Sequence, residues 1–309
     1  MKIKVGIPRS LLYYYYKDLW KSFFEYLNIE VVESNVSNKK ILEDGEKLTN
    51  DEACLSLKLF LGHVYDLKDK CDFIFVPRLF SVSKNEGVCT NFSCIYDLVN
   101  NLFDDINILN YNVDLGSHDT ELLGFLKIGK ELGISYINAY AAYKYAYNKK
   151  LLKRKYLEDI QKKKLASNNI KILLAAHPYN LYDELIGKPI IKYLKDNDIE
   201  IIYSDRIDHN LIDSECMKIS TDIYWTHSKE VMASINYYKN KVDGIIILSS
   251  FPCGPDSLSN ELAVRKVKNI PILTLIIENL NSDVGIITRL ESFIDILKNK
   301  KEYIYEKSN

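Results

Sequence analysis

Gly244-Ile245-Ile246-Ile247-Leu248-Ser249-Ser250-Phe251-Pro252-Cys253-Gly254-Pro255-Asp256-Ser257 is the stretch whose reading decides the fold. Gly244 to Leu248 is the most uniformly apolar run of the chain, the pattern of a strand buried on both faces. Pro252, Gly254 and Pro255 then hold the backbone around Cys253 in a shaped turn. An amphipathic helix pattern begins near Leu258. Buried strand, shaped turn and helix are the parts of an open parallel α/β sheet, in which ligands sit beyond the carboxyl ends of strands. Here that turn carries a thiol.

Downstream of this stretch, Pro271 to Ile276 reads as a strand and Ile286 to Lys298 as a closing helix. Upstream, Ile170 to Ala176 and Glu200 to Tyr203 read as strands. Between them lie a turn at His177-Pro178-Tyr179-Asn180 and a helix from Tyr182 to Asn197, and a further helix surrounds Val231 to Ile235. The first half repeats the alternation. Lys2 to Gly6 reads as a strand, Leu11 to Leu27 as a helix and Glu30 to Glu33 as a strand. In that helix Leu12, Tyr15, Tyr16, Leu19, Trp20, Phe23 and Phe24 recur at helical spacing, so the run Tyr13 to Tyr16 reads as a packed face. Helices are expected over 39–47 and 51–67, then a strand Phe73 to Val76 closed by Pro77-Arg78. Periodicity is lost from Ser81 to Ser93, returns as a helix from Ile95 to Phe103 and a strand from Ile106 to Leu109, and becomes a long helical region, 119–165, broken near Gly133.

Strands alternating with helices in both halves predict parallel sheets with right-handed crossovers. The expected fold is α/β, with two Rossmann/flavodoxin-like lobes whose parallel sheets face a cleft and are joined by a helical segment. The N-terminal lobe is placed at 1–118, the helical connection at 119–169 and the C-terminal lobe at 170–309, with Ala166-Ser167-Asn168-Asn169 as the linker.

A chain of 309 residues passes the size, about 250 to 300 residues, at which one core stops growing, which favours two domains. Its 41 Lys and Arg against 42 Asp and Glu leave a formal charge of -1, so nothing steers a nucleic acid to it. The basic stretch Asn148 to Lys164 reads as a solvated helix face. No apolar run approaches the roughly 20 residues that span a bilayer, and Met1-Lys2-Ile3-Lys4-Val5 enters a strand pattern directly. A soluble cytoplasmic protein without a membrane partner is expected.

Neither half carries Gly-x-Gly-x-x-Gly after its first strand; Gly6-Ile7-Pro8-Arg9 and Ala176-His177-Pro178-Tyr179 stand there instead, which disfavours a dinucleotide. No Gly-Lys-Ser/Thr phosphate loop and no Gly-x-Ser-x-Gly elbow occur. The six cysteines, Cys54, Cys71, Cys89, Cys94, Cys216 and Cys253, contain no Cys-x-x-Cys pair, against zinc ribbons. Three of them stand where a strand or helix end would deliver them to a ligand. Cys54 opens a helix, Cys89 follows the Phe73 strand and Cys253 follows the Gly244 strand. A helix start lowers a thiol's pKa and favours the thiolate that a metal requires. Cys71 and Cys216 are assigned to packing. His63 and His177 are candidate catalytic residues, each weighed against a structural role, and Arg9 and Arg78 close strand ends where an anion or an ion pair would meet them.

Gly6-Ile7-Pro8-Arg9 with Leu11 to Tyr15, Asp51-Glu52-Ala53-Cys54 with Gly62-His63, and Phe73 to Arg78 resemble the N-terminal half of proteins related to the 2-hydroxyacyl-CoA dehydratases, including activase-related chains. His177-Pro178-Tyr179-Asn180, Cys253 to Ser257 and Thr288-Arg289-Leu290-Glu291 are similar to that superfamily's later motifs. The resemblance covers nearly the whole chain and is weakest between Leu98 and Asn169. It implies a [4Fe–4S] cluster held between two lobes by Cys54, Cys89 and Cys253, with Cys94 open between a packing role, a fourth ligand and part of a larger cluster. Thiolate ligation suits such clusters, and an open iron would act as Lewis acid and one-electron donor.

The sequence departs from the family pattern at Thr90, where relatives carry proline, and at Ile277 to Gly285, which replaces an acidic segment. The resemblance implies an iron–sulfur redox protein of anaerobic metabolism, a dehydratase- or reductase-like enzyme if it is one. Its chemistry would be one-electron work on a small substrate or acyl-CoA, with an ATP-dependent activator as donor and a homo- or heterodimeric assembly. Two other readings stand beside it. One is a non-catalytic accessory or scaffold for a related dehydratase or for cluster handling, favoured by the altered Glu278 region. The other is a zinc or apo α/β ligand-binding protein whose cysteines only pack.

Overall fold

Each half of the chain folds around a four-stranded parallel sheet. The structure, a computed structural model, describes residues 2–83, 85–278 and 284–308. The first half runs β1 (Lys4–Ile7), α1 (Tyr13–Tyr26), β2 (Glu30–Glu33), α2 (Lys39–Glu46), α3 (Leu55–Leu67), β3 (Phe73–Ser81), α4 (Thr90–Ser93), α5 (Ile95–Leu102), β4 (Ile108–Asp114) and α6 (Glu121–Glu131). After Gly133, at φ 73°, the long α7 (Tyr136–Leu165) leads into the second half. There follow β5 (Lys171–Ala175), α8 (Pro178–Leu181), α9 (Gly187–Asp196), β6 (Glu200–Tyr203), α10 (Ile212–Met217), α11 (Thr226–Tyr238), β7 (Gly244–Ser250), α12 (Gly254–Lys266), β8 (Ile272–Ile277) and α13 (Val284–Ser308).

The strand orders are β2-β1-β3-β4 and β6-β5-β7-β8. The chain divides into two compact units, Met1–Lys155 with Tyr224–Thr226, and Tyr156–Ile223 with His227–Asn309. The stretch 119–169 that the sequence sets apart is thus shared between them. Tyr224–Thr226 belong with the first unit because Gly87 forms a parallel bridge with Trp225, accepting from the Thr226 N–H and donating to the Tyr224 carbonyl.

The first core is aromatic. Trp20, Phe23 and Phe24 on one face of α1 meet Phe75 of β3, Tyr111 of β4 and Phe125 of α6, with ring centroids at 4.8 Å for Trp20–Phe75 and 4.5 Å for Phe23–Phe125. Such pairs add about 0.5 to 1.5 kcal/mol each beyond the area they bury. The tyrosine run feeds the same face: Tyr16 stacks on Trp20 at 5.7 Å and Tyr13 is buried. Beside it, α2 and α3 touch backbone to backbone. A Cβ on Gly62 would lie 1.9 Å from the Ile41 carbonyl oxygen, and one on Gly45 1.8 Å from that of Lys58. The second core gathers Leu173, Ile202, Met232, Ile235, Ile245 and Ile247 around β5 and β7.

Several boundaries differ from the sequence reading, α3 starting at Leu55 and α9 at Gly187 among them, and three more are those of β3, of the helices with proline in their first turn, and of β4. β3 does not stop at Pro77-Arg78 but continues to Ser81. It pairs with β1 only through Phe73 and Ile74, so beyond them one side of β3 is open and the missing N–H of Pro77 costs no ladder bond. Second, α12 begins at Gly254 rather than near Leu258, and α8 begins at Pro178, because proline fits the first helical turn, whose N–H groups have no partner inside the helix. Third, β4 spans Ile108–Asp114, later and longer than expected. Residues 279–283, most of the Ile277 to Gly285 segment, lie outside the described residues.

Candidate functional site

In a sheet of order 2-1-3-4, neighbouring connections leave in opposite directions at the central pair, and ligands collect beyond the carboxyl ends of those two strands. In the second lobe that pair is β5 and β7. His177 follows β5 as the N-cap of α8, and Cys253 follows β7 as the N-cap of α12. All seven residues of β7 are buried, so the turn stands on a rigid base. Ser257 ties it further, its hydroxyl and its N–H donating to the Cys253 carbonyl at 2.7 and 3.0 Å.

The two turns are joined by a side-chain pair. His177 Nε2 lies 2.7 Å from Asp256 Oδ1, with the residues 4% and 5% exposed. Burial alone would pull the His177 pKa down. The charge and hydrogen bond of Asp256, with help from Glu230, more than offset it, and the imidazole ends above its ordinary value. Tyr179 stacks on His177 at 5.1 Å, and His227 meets it edge-on at 6.5 Å. Burial first, then the positive charge of His177, drives His227 down to about 4. The site therefore sets an imidazole with a raised pKa beside one with a lowered pKa.

Next to it, Asp205 accepts from Tyr182 Oη at 2.8 and 3.0 Å at the end of β6, and burial lifts this carboxyl to about 6. Asp256, His227 and Asp205 escape a sequence reading because nothing in their spacing joins them to His177. The one local signal is an acid in the first turn of the helix that Cys253 caps, where a carboxylate is favoured.

In the first lobe Cys54 is the N-cap of α3 and Cys89 the N-cap of α4. α3 returns the chain to the start of a parallel strand, so its first turn lies at the carboxyl edge of the sheet, as does the segment after β3. Asn91 Nδ2 donates to Cys54 Sγ at 3.3 Å. The expectation that its helix start would lower the Cys54 pKa is corrected. Burial is the largest influence and raises it, the nearby Cys89 thiol raises it further, and the Leu57 N–H and Asn91 amide offset only part. Cys94 is exposed at the α4–α5 junction, 3.8 Å from Ser93 Oγ. Arg78 braces that junction through Asp97 at 2.9 Å and the Ser93 carbonyl at 3.0 Å, so it forms an ion pair rather than standing ready for an anion.

His63 is wholly buried between two hydroxyls, Ser34 Oγ at 2.9 Å from Nδ1 and Ser37 Oγ at 3.0 Å from Nε2. Burial depresses its pKa to about 3, and both ring nitrogens are engaged. Cys71 donates to the Leu67 carbonyl at 3.3 Å and rises to about 11 through burial, while Cys216 belongs to the second core. Among the described residues, no three or more His, Cys, Asp or Glu side chains gather as a metal site, and none of the six cysteines is in a disulfide.

A family model described as "CoA enzyme activase uncharacterised domain" matches residues 4–207. The chain belongs to this family. The family's match takes in Cys54, His63, Cys89, Cys94 and His177 and stops before Cys253. No curated protein matches the chain. Among solved structures it is similar to the SBP FpvC from Pseudomonas aeruginosa in complex with Mn2+, at 12% identity and TM-score 0.28 over 98% of this chain and 100% of that one. It is likewise similar to ZnuA, at 9% identity and TM-score 0.27 over 96% and 99%. Superpositions this loose carry no argument about ligand or reaction. Among the described residues, no helix is long and apolar enough to cross a membrane.

Proposed function

We propose that this member of the CoA enzyme activase-related family is an iron–sulfur redox protein. Its ligands to a [4Fe–4S] cluster would be Cys54 and Cys89 from the first lobe and Cys253 from the second. The observation that carries the reading is positional. Each of the three thiols is the residue before the first turn of a helix at the carboxyl edge of a parallel sheet, and each is half-buried and in no disulfide.

The chemistry of the donors supports the reading. The first lobe brings two thiols near enough for one to raise the other's pKa, with the Asn91 amide as a hydrogen-bond donor to sulfur. Second-shell bonds of this kind tune such clusters, and soft thiolates are the ligands they take. When bound, the cluster would supply one-electron transfer and an iron open to an oxygen ligand. The chain's own residues have separate tasks. Ser257 and Asn91 fix the ligands, while the His177–Asp256 pair keeps a proton in a dry site beyond β5 and β7. An ATP-dependent activator as electron donor and a CoA-thioester or small-molecule substrate complete the proposal.

The test is anaerobic purification followed by iron and sulfide analysis and an absorption spectrum. Stoichiometric iron that disappears in C54A, C89A or C253A but persists in C71A and C216A is the expected result. Iron-free protein under strict anaerobiosis would sink the reading. Adding reduced activator with ATP and following EPR then tests the electron donor.

A further inference from the structure

In the first lobe the corresponding central strands are β1 and β3, and β1 runs into Pro8-Arg9-Ser10. Arg9 has a buried Nε with no hydrogen-bond partner, and no carboxylate pairs with its guanidinium among the described residues. A buried donor left unmet costs about 1 to 3 kcal/mol, so it marks a missing partner. Lys17, in the second turn of α1, likewise has no ion pair among the described residues. Both cations address one ring: the Arg9 guanidinium carbon lies 5.9 Å from the Tyr13 centroid and Lys17 Nζ 5.3 Å, with Lys17 also 5.8 Å from Tyr14.

Two like charges at one ring, with no anion paired to either, are held against their own repulsion. Burial lowers the Lys17 pKa, and the charges of Arg9 and Lys21 lower it further against the pull of Asp18 and Glu33. Glu33, a carboxylate whose charge acts on Lys17, is already spent, accepting from Tyr13 Oη and from Lys21 Nζ at 2.9 Å. Charge is therefore in surplus at the β1 end: Arg9, Lys17 and Lys21 against Asp18 and Glu33, while burial raises the Tyr13 pKa and lowers that of His63, which keeps both uncharged. α1 adds to the surplus, having no acidic residue in its first turn and no side-chain cap.

We propose that Arg9 and Lys17 form an oxyanion site of the phosphate class at the carboxyl end of β1. A guanidinium offers a planar fork and an ammonium a point charge, the two groups that recognise phosphate, and the position is the one where parallel sheets of this order take phosphate-bearing ligands. The phosphate would come either from a free inorganic anion or from the phosphate ester of a larger ligand.

Isothermal titration of the full chain, purified anaerobically, with pyrophosphate and separately with coenzyme A distinguishes these sources. Binding of either that weakens about tenfold in R9Q and in K17Q, falls with added salt and persists in K127Q supports the site. Tighter binding of coenzyme A assigns the phosphate ester, and equal or tighter binding of pyrophosphate the free anion. R9K should recover part of the loss, since it restores charge without the fork. Absence of binding by both probes, or binding unchanged in correctly folded R9Q and K17Q as judged by circular dichroism, overturns the proposal. Iron content measured on the same samples keeps this outcome separate from that of the cysteine reading.

Discussion

His177 Nε2 and Asp256 Oδ1 lie 2.7 Å apart in an ion pair sealed from solvent, one partner in the turn after β5 and the other in the first turn of α12. A buried pair is costly to break from one side, because the remaining charge loses its partner and not its burial.

Asp256→Asn should therefore destabilise the second lobe by about 3 to 5 kcal/mol. The His177 pKa, raised in the intact protein, should fall below its ordinary value once burial acts unopposed, which NMR titration of the imidazole reads directly. Because the folded pKa is raised, the pair's stabilisation is complete below the unfolded value near 6.5 and fades as pH rises through the folded one. The gap between wild type and D256N should shrink from pH 6 toward pH 9. A gap constant with pH would contradict the assignment of charge to His177.

His63 gives the opposite slope. Its folded pKa is about 3, so between pH 6.5 and 3 the unfolded chain binds a proton that the folded chain refuses. First-lobe stability should fall on acidification by up to about 1.4 kcal/mol per pH unit from this residue alone. Both tryptophans, Trp20 and Trp225, lie in the first unit, so their fluorescence in urea reports that lobe. His63→Asn should flatten the acid limb relative to wild type, while H227N should leave that signal unchanged.

Thiol reactivity should follow exposure and burial. Exposed Cys94 is expected to alkylate with iodoacetamide first, and buried Cys216 only on unfolding, with peptide mass spectrometry counting the adducts. In iron-loaded protein Cys54, Cys89 and Cys253 should be protected. Protection extending to Cys94 would identify it as a fourth ligand; open labelling of the first three would contradict the ligand set.

Gly62→Ala should cost about 1 to 3 kcal/mol in the same fluorescence assay, since its Cβ would strike the Ile41 carbonyl and the backbone of α2 would have to retreat from α3. Adding Ile41→Ala should not relieve the loss, because the clash is with backbone. Relief would show that side-chain crowding governs this contact.

Periodicity made the alternation of strands and helices legible, and Glu30–Glu33 and Glu200–Tyr203 are observed with the bounds expected from sequence. It failed where proline was taken as punctuation. Pro77 sits inside β3 and Pro255 inside α12, because whether a missing N–H matters depends on neighbours that one chain segment does not reveal. Cys54, Cys89 and Cys253 were legible as residues at element ends. His177 was legible as a strand-end residue, but not its partner Asp256, since the pair spans 79 positions and forms only when β5 and β7 lie side by side. The high pKa of Cys54 was hidden for a related reason: helix starts can be read locally, burial cannot.

The identical strand orders, β2-β1-β3-β4 and β6-β5-β7-β8, describe a chain that states one theme twice. The echo reaches the first turn of each half, where Pro8-Arg9 and His177-Pro178 follow β1 and β5. The first lobe keeps unpaired cations beyond its first strand and the second a buried imidazole with a raised pKa beyond its own, so one strand order carries two different charge arrangements.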